Sequence, residues 1–282
     1  MEYNLSSKVS NSLYLRNMNI ALNRIVKAIN EREKIVIYGY HDFDSVCAIS
    51  LLMLVLRYVN SDVEYFIPST YREDRNLIKE DVEENILCFG ASLIITVGCG
   101  VNSREELEIC KKNNIDVIVT DYHDYVLEDD NCITINTAQP QCNYPFKEFT
   151  ACSLIYKFVE VIADYYKISS IKKYLDLVMM GIITTGVEIK DENKFFVEEG
   201  LKMLKLTNNY GVIALMKEHQ KSYGDSMEFY DEGIKTLLPK MISRNNPDNA
   251  RIIVELFTTN DSYRAKQISK YLYKELMRRK EN

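Results

Sequence analysis

The sequence predicts an α/β protein, a mainly parallel sheet flanked by helices, followed by a mostly helical region. Three observations carry this. Short runs rich in β-branched and aromatic residues recur at Ile35–Tyr40, Val63–Ile67, Leu93–Val97 and Asp116–Thr120, the composition of buried strands. Helical patterns separate them, and strands alternating with helices define βαβ units and a parallel sheet. After Asp121 the strand signal stops and helical periodicity takes over.

The elements follow in order. Residues 11–31 place Leu13, Met18, Leu22, Ile25, Val26 and Ile29 at helical spacing, which predicts an amphipathic helix ahead of the first strand. That strand ends in the polar turn His41-Asp42-Phe43-Asp44-Ser45, and an apolar helix runs from it to about Tyr58. Ser103–Lys112 is helical between the third and fourth strands. Beyond a loop at Asn143–Phe146, helices are expected over 150–166, 171–184, 192–206, 209–220 and about 261–280. The reading divides the chain into an α/β domain over 1–190 and a helical extension over 191–282 that ends in a long helix.

With 282 residues, 46% hydrophobic and 27% charged, the chain can bury one large core or two modest ones. A net charge of −6 excludes a protein that coats nucleic acid by bulk electrostatics, though not one with a local basic stripe. No apolar run approaches the roughly 20 residues that span a bilayer, and Met1-Glu2-Tyr3-Asn4 lacks a signal-peptide layout. No membrane contact is expected. The seven cysteines lack a Cys-x-x-Cys pair, so they read as reduced thiols of a cytoplasmic protein. The 20 tyrosines are expected mainly at the sheet–helix interface, the alternative being platforms on which bases stack. His219, on a lysine-flanked helix, reads as a surface residue.

Ligands of parallel sheets sit at the carboxyl ends of the strands, beside a switch in strand order. There the sequence places Asp42 and Asp44 after the first strand, and Asp121 and His123 after the fourth. Carboxylates at i and i+2 of a turn can face one cation, and Asp/His sets suit Mn²⁺ or Mg²⁺. The alternative is that each Asp caps the following helix or makes an Asx-turn. The spacing leaves both open.

These segments resemble the motifs of the DHH phosphoesterase superfamily, and of its RecJ-type single-stranded-DNA exonucleases in particular. Tyr38–Asp44 is similar to the first motif, where a His precedes an Asp-x-Asp pair. Leu93–Gly100 is similar to the second, a strand ending in Asp-Cys-Gly, and Val119–His123 to the Asp-His-His motif. Asn136–Phe146 resembles the loop that follows in RecJ nucleases. Gly181–Asn193 resembles the fourth motif and the Glu-Asn pair after it, and the tail from Pro239 to Arg279 follows the RecJ pattern with a contracted loop near Ser243–Pro247. The resemblance covers about residues 30 to 282.

It also marks departures. Tyr38, Gly98, Tyr122 and Thr185 stand where the resemblance implies ligands: the first-motif His, the Asp that bridges both metals, the first His of the triplet and the fourth-motif Asp. Two-metal hydrolysis needs cations about 3.5–4 Å apart, clamping the attacking and leaving oxygens. Glycine offers no side-chain donor, and neutral tyrosine and threonine are poor ones. Asp42, Asp44, Asp121 and His123 therefore read as vestigial, with His41 a neighbouring candidate ligand. No metal site and no cofactor are expected, with Mn²⁺ or Mg²⁺ only if activity survives.

RecJ-type enzymes continue into a further domain of the DHHA1 kind, and none is expected here. The final helix carries Lys266, Lys270, Lys274 and Arg278 at successive i+4 steps, either a solvated face or a phosphate-tracking or docking stripe. Ile268, Leu272 and Leu276 line its other side and are expected to meet a protein partner. The resemblance thus implies a catalytically inactive protein that binds a partner in DNA replication, recombination or repair, or single-stranded nucleic acid. A degenerate relative that serves as a subunit of the eukaryotic replicative helicase is the precedent. The rivals are a residual Mn²⁺-dependent exonuclease or nucleotide phosphodiesterase, and a protein that sequesters a nucleotide without cleaving it.

Overall fold

The computed structural model describes residues 9–70, 72–124, 132–223, 229–242 and 248–281. A five-stranded sheet is built from β1 (Ile35–Gly39), β2 (Val63–Phe66), β3 (Leu93–Val97), β4 (Asp116–Thr120) and β5 (Ile133–Ile135). Its order is β2-β1-β3-β4-β5, and every pairing is parallel. Ile35 pairs with Val63 on one side and with Leu93 on the other. The chain therefore leaves β1 in one direction, returns, and adds β3 to the opposite edge. That reversal opens a crevice outside the carboxyl ends of β1 and β3, the usual ligand position in such sheets.

Alternation along the strands builds two layers. Ile35, Ile37, Leu93 and Ile95 join the larger core, whereas Val36, Tyr38, Tyr40, Ile94 and Val117 join a smaller one on the opposite face. The smaller layer is closed by the single π-helical turn Asp81–Ile86 and by α3 (Arg104–Lys112). The larger core surrounds α2 (Phe43–Tyr58), which is apolar on all sides and packs against α4 (Ala151–Tyr165), α5 (Leu175–Thr185) and α9 (Asp248–Thr258). A helix without a polar face is stable only inside a protein. α1 (Met18–Asn30) lies against α4 with its apolar stripe inward.

The helices after residue 190 extend this same core. α6 (Asp191–Leu206) packs on α5, and α7 (Tyr210–Tyr223) and α10 (Ser262–Glu281) pack on each other. Between them lie a π-helical segment (Phe229–Leu237) and the short α8 (Leu238–Met241). Phe196, Leu215, Ile234 and Leu256 belong to one cluster with α2 and α4.

Two expectations need correction. His219 is buried, its ring stacked on Tyr223 at 5.2 Å and edge-on to Phe229 and Tyr273. Lysines on either side of a residue do not reveal which way the helix turns it. Ile268, Leu272 and Leu276 do not await a partner: they are 5%, 1% and 3% exposed and sit in the core. Their partners are this chain's own helices, notably α7, whose Ala214 carbonyl accepts from Ser269 Oγ at 3.0 Å. β5, three residues long, is too short to show a period in the sequence. The loop near Ser243–Pro247 lies outside the described residues. Among the described residues no helix is long and apolar enough to cross a membrane.

Candidate functional site at the switch point

The crevice holds a cleft of about 380 Å³ lined by His41, Asp42, Asp44, Arg75, Tyr122 and Thr185, among others. Segments more than 140 positions apart thus converge at the sheet's carboxyl edge, as the turns after the strands lead one to expect. Gly98 adjoins it, since a Cβ there would lie 3.4 Å from the Tyr122 ring. Tyr122 in turn stacks on His123 at 4.3 Å. Tyr38 is not brought to the cleft. Its hydroxyl donates to Asp81 at 3.1 Å and its ring stacks on Phe66, both on the opposite face of the sheet.

Each acidic side chain here is held by the protein itself. Asp42 caps α2, accepting from the Ser45 amide and hydroxyl, both at 2.8 Å. Its second oxygen also meets the Arg75 guanidinium at 2.7 Å. Asp44 is fully buried and bonds to the start of α4: the Thr150 hydroxyl at 3.0 Å, the Ala151 amide at 2.7 Å and the Cys152 amide at 3.0 Å. A carboxylate at a helix N-terminus satisfies amides that lack an intrahelical partner. Burial nevertheless pushes the Asp44 carboxyl up to about 7, and the Asp42 charge adds to the shift against those three bonds. Asp121 accepts from the Val101, Tyr122 and His123 amides and, at 2.6 Å, from His123 Nδ1. His41, a buried lining residue of the cleft, is held below its usual range by desolvation.

Gly98 stands where the resemblance implies a carboxylate. Its φ is +63°, and a Cβ there would sit 2.9 Å from that of Ala151. α4 therefore occupies the space that a side chain at this position would need. Thr185 bonds its own helix, its hydroxyl donating to the Ile182 carbonyl at 2.8 Å. The Glu-Asn pair after the fourth motif has a structural use. Glu192 accepts from the Tyr144 hydroxyl at 2.8 Å and faces the buried Lys157 at 3.7 Å, while Asn193 donates to the Glu148 carbonyl at 2.8 Å. Sequence reasoning missed Arg75. It lies in the aperiodic stretch Ser69–Asn76, 33 positions from Asp42, and only the fold joins the two.

A parallel sheet with Asp and His side chains at the carboxyl ends of its strands, flanking a switch point, has the architecture of a phosphoesterase fold. More specifically, this chain belongs to the DHH family, whose N-terminal domain model matches residues 34–182. Its type within the family is RecJ. It is 31% identical to the single-stranded-DNA-specific exonuclease RecJ of Bacillus subtilis, over 90% of this chain and 32% of that protein. Against RecJ of Haemophilus influenzae the identity is 28%, over 88% and 45%. The chain thus spans about a third to somewhat under half of the length of these relatives. Two manganese-bound RecJ crystal structures share the fold, each at 21% identity over 94% of this chain. One, from Thermus thermophilus, gives a TM-score of 0.79 over 38% of its chain, the other 0.82 over 67%.

These structures correct the expectation that no cofactor is involved: Thermus thermophilus RecJ was solved in complex with Mn²⁺ and with Mg²⁺, so divalent metal use belongs to relatives of this fold. The acidic donors of this cleft are engaged by other groups of the chain. Arg75 meets Asp42, α4 takes Asp44, and α4 also closes the space at Gly98. Among the described residues no three His, Cys, Asp or Glu side chains gather as a metal site.

Proposed function

We propose that this chain is a RecJ-type DHH domain without phosphodiesterase turnover, which acts by binding single-stranded nucleic acid in replication, recombination or repair. The observation that carries this is the arrangement around Gly98. The position of the bridging carboxylate has a left-handed backbone and is filled from the side by Ala151. Hydrolysis by two ions needs a pair of cations about 3.5–4 Å apart that clamp the attacking and leaving oxygens, and Gly98 offers no side-chain donor to hold such a pair. A guanidinium beside Asp42 adds a fixed positive charge where such a mechanism needs an open carboxylate. Ile268, Leu272 and Leu276 are internal and offer no surface to a protein partner, which favours nucleic acid as the ligand.

The test is purified protein with Mn²⁺ and end-labelled single-stranded DNA. No shortening of the strand beyond that of the Asp42→Ala variant is expected. Turnover present in the unaltered protein and abolished by Asp42→Ala would refute the reading and restore the exonuclease as the better account.

A further inference from the structure

The outer face of α10 alternates cations with exposed rings. Taken at about 100° per residue, Tyr263, Lys266, Gln267, Lys270, Tyr271, Lys274 and Arg278 fall within a sector of about 140°. From Tyr263 to Arg278 no Asp or Glu falls in that sector. The opposite sector carries the buried Ala265, Ile268, Leu272 and Leu276, so the helix is fixed in rotation and this face is turned outward. Tyr263 is 67% exposed and Tyr271 43%. Two large rings held in solvent, when neighbouring rings such as Tyr273 are buried, are not explained by packing. Arg278 is engaged with Glu275 at 2.9 Å, whereas Lys266, Lys270 and Lys274 are exposed on a chain of net charge −6. The positive charge is therefore local and directional.

From this we infer that the outer face of α10 is a contact surface for single-stranded nucleic acid, with the three lysines on phosphates and Tyr263 and Tyr271 stacking on bases. The inference rests on the proposed binding function and names the surface that performs it. Eight residues at ~1.5 Å rise place the rings about 12 Å apart, which is three to four bases at the ~3.4 Å spacing of a stacked strand. Rings recognise a single strand because its bases offer free faces, and every base has one, so such stacking tolerates any sequence. In a duplex those faces are already covered. A basic face alone would be an ordinary solvated surface. The rings at i and i+8, interleaved with lysines at i+3, i+7 and i+11, give it a chemistry suited to one ligand class.

The experiment is fluorescence anisotropy with a labelled single strand of about 20 nucleotides, in EDTA and across a salt series. It compares the unaltered chain, Lys266→Glu/Lys270→Glu/Lys274→Glu, Tyr263→Ala/Tyr271→Ala, and a control reversal at Lys79, Lys112 and Lys205. These are surface substitutions, and circular dichroism and melting confirm that each variant is folded. The α10 reversal is expected to weaken binding at least tenfold and to lower the salt slope by about 2, from three contacts at ~0.7 each. The tyrosine pair should lose roughly 5- to 100-fold with the slope unchanged, and should leave any residual duplex binding unaffected. If the unaltered chain binds and the α10 reversal matches the control reversal, the surface is elsewhere: this inference falls and the proposed function stands. If the unaltered chain does not bind the strand at all, the proposed function falls with it.

Discussion

Placing a carboxylate at position 98 by Gly98→Asp, as the resemblance implies, separates a lost ligand from a closed site. If only the side chain were missing, the variant would be stable and would recover part of a metal cage. The geometry says otherwise. A non-glycine residue at φ +63° costs about 1 kcal/mol or somewhat more. Its Cβ would stand 2.9 Å from that of Ala151, well inside the ~3.5–4.0 Å of carbon–carbon contact, and such overpacking costs about 1–3 kcal/mol. Gly98→Ala, which carries only these two effects, should lose about 2–4 kcal/mol in urea unfolding. Gly98→Asp should lose at least as much, since its carboxylate enters a cleft that already holds Asp42 and Asp44. Ala151→Gly should compensate: in a double-mutant cycle with Gly98→Ala, about 1 kcal/mol or more of coupling is expected. Exonuclease assays with Mn²⁺ should show no recovery in Gly98→Asp. A variant as stable as the original, or turnover restored by this substitution alone, would refute the argument that α4 closes the site.

Two further outcomes test the scaffold. Lys157 is fully buried, its ammonium donating to the Ser10 carbonyl at 2.8 Å and pairing with Glu160 at 3.0 Å and Glu192 at 3.7 Å. Lys157→Met should cost about 3–5 kcal/mol in chemical denaturation, because it leaves buried carboxylates without their cation, and Lys157→Met/Glu192→Gln should lose less than the sum of its parts. Asp176, buried and bonded to Thr207 Oγ1 at 2.6 Å, has its carboxyl pushed up by desolvation from 3.8 to about 6. Since the folded value lies above the unfolded one, stability falls as pH rises from about 4 to about 6 and levels off above, a loss of about 3 kcal/mol at ~1.4 kcal/mol per unit. Asp176→Asn, measured by melting across pH 4 to 8, should remove that decline; an unchanged pH profile would show that the group does not titrate in this window.

The periodic parts of the molecule and the positions of its motifs are legible in the amino-acid order. β1 to β4, α2 and α3 are long enough, and apolar at the right period, to be read directly, whereas the turn Asp81–Ile86 after β2 is not. So are the turns that carry Asp42, Asp44, Asp121 and His123, because each follows a strand. That glycine and tyrosine stand where the resemblance implies ligands is likewise visible in the sequence. Which way side chains face and what they meet is not legible there and follows from packing. Tyr38 and Asp42 are four residues apart, yet the strand's alternation sends Tyr38 to the far side of the sheet. Asp44 finds its bonds at the start of α4, more than 100 positions later, and Asp42 finds Arg75 in a stretch without period. The apolar side of α10 looks the same in sequence whether a partner or α7 covers it. The physical reason is common to all these cases: local spacing sets how a segment folds, but burial and hydrogen bonding are settled by elements that the chain brings together from a distance.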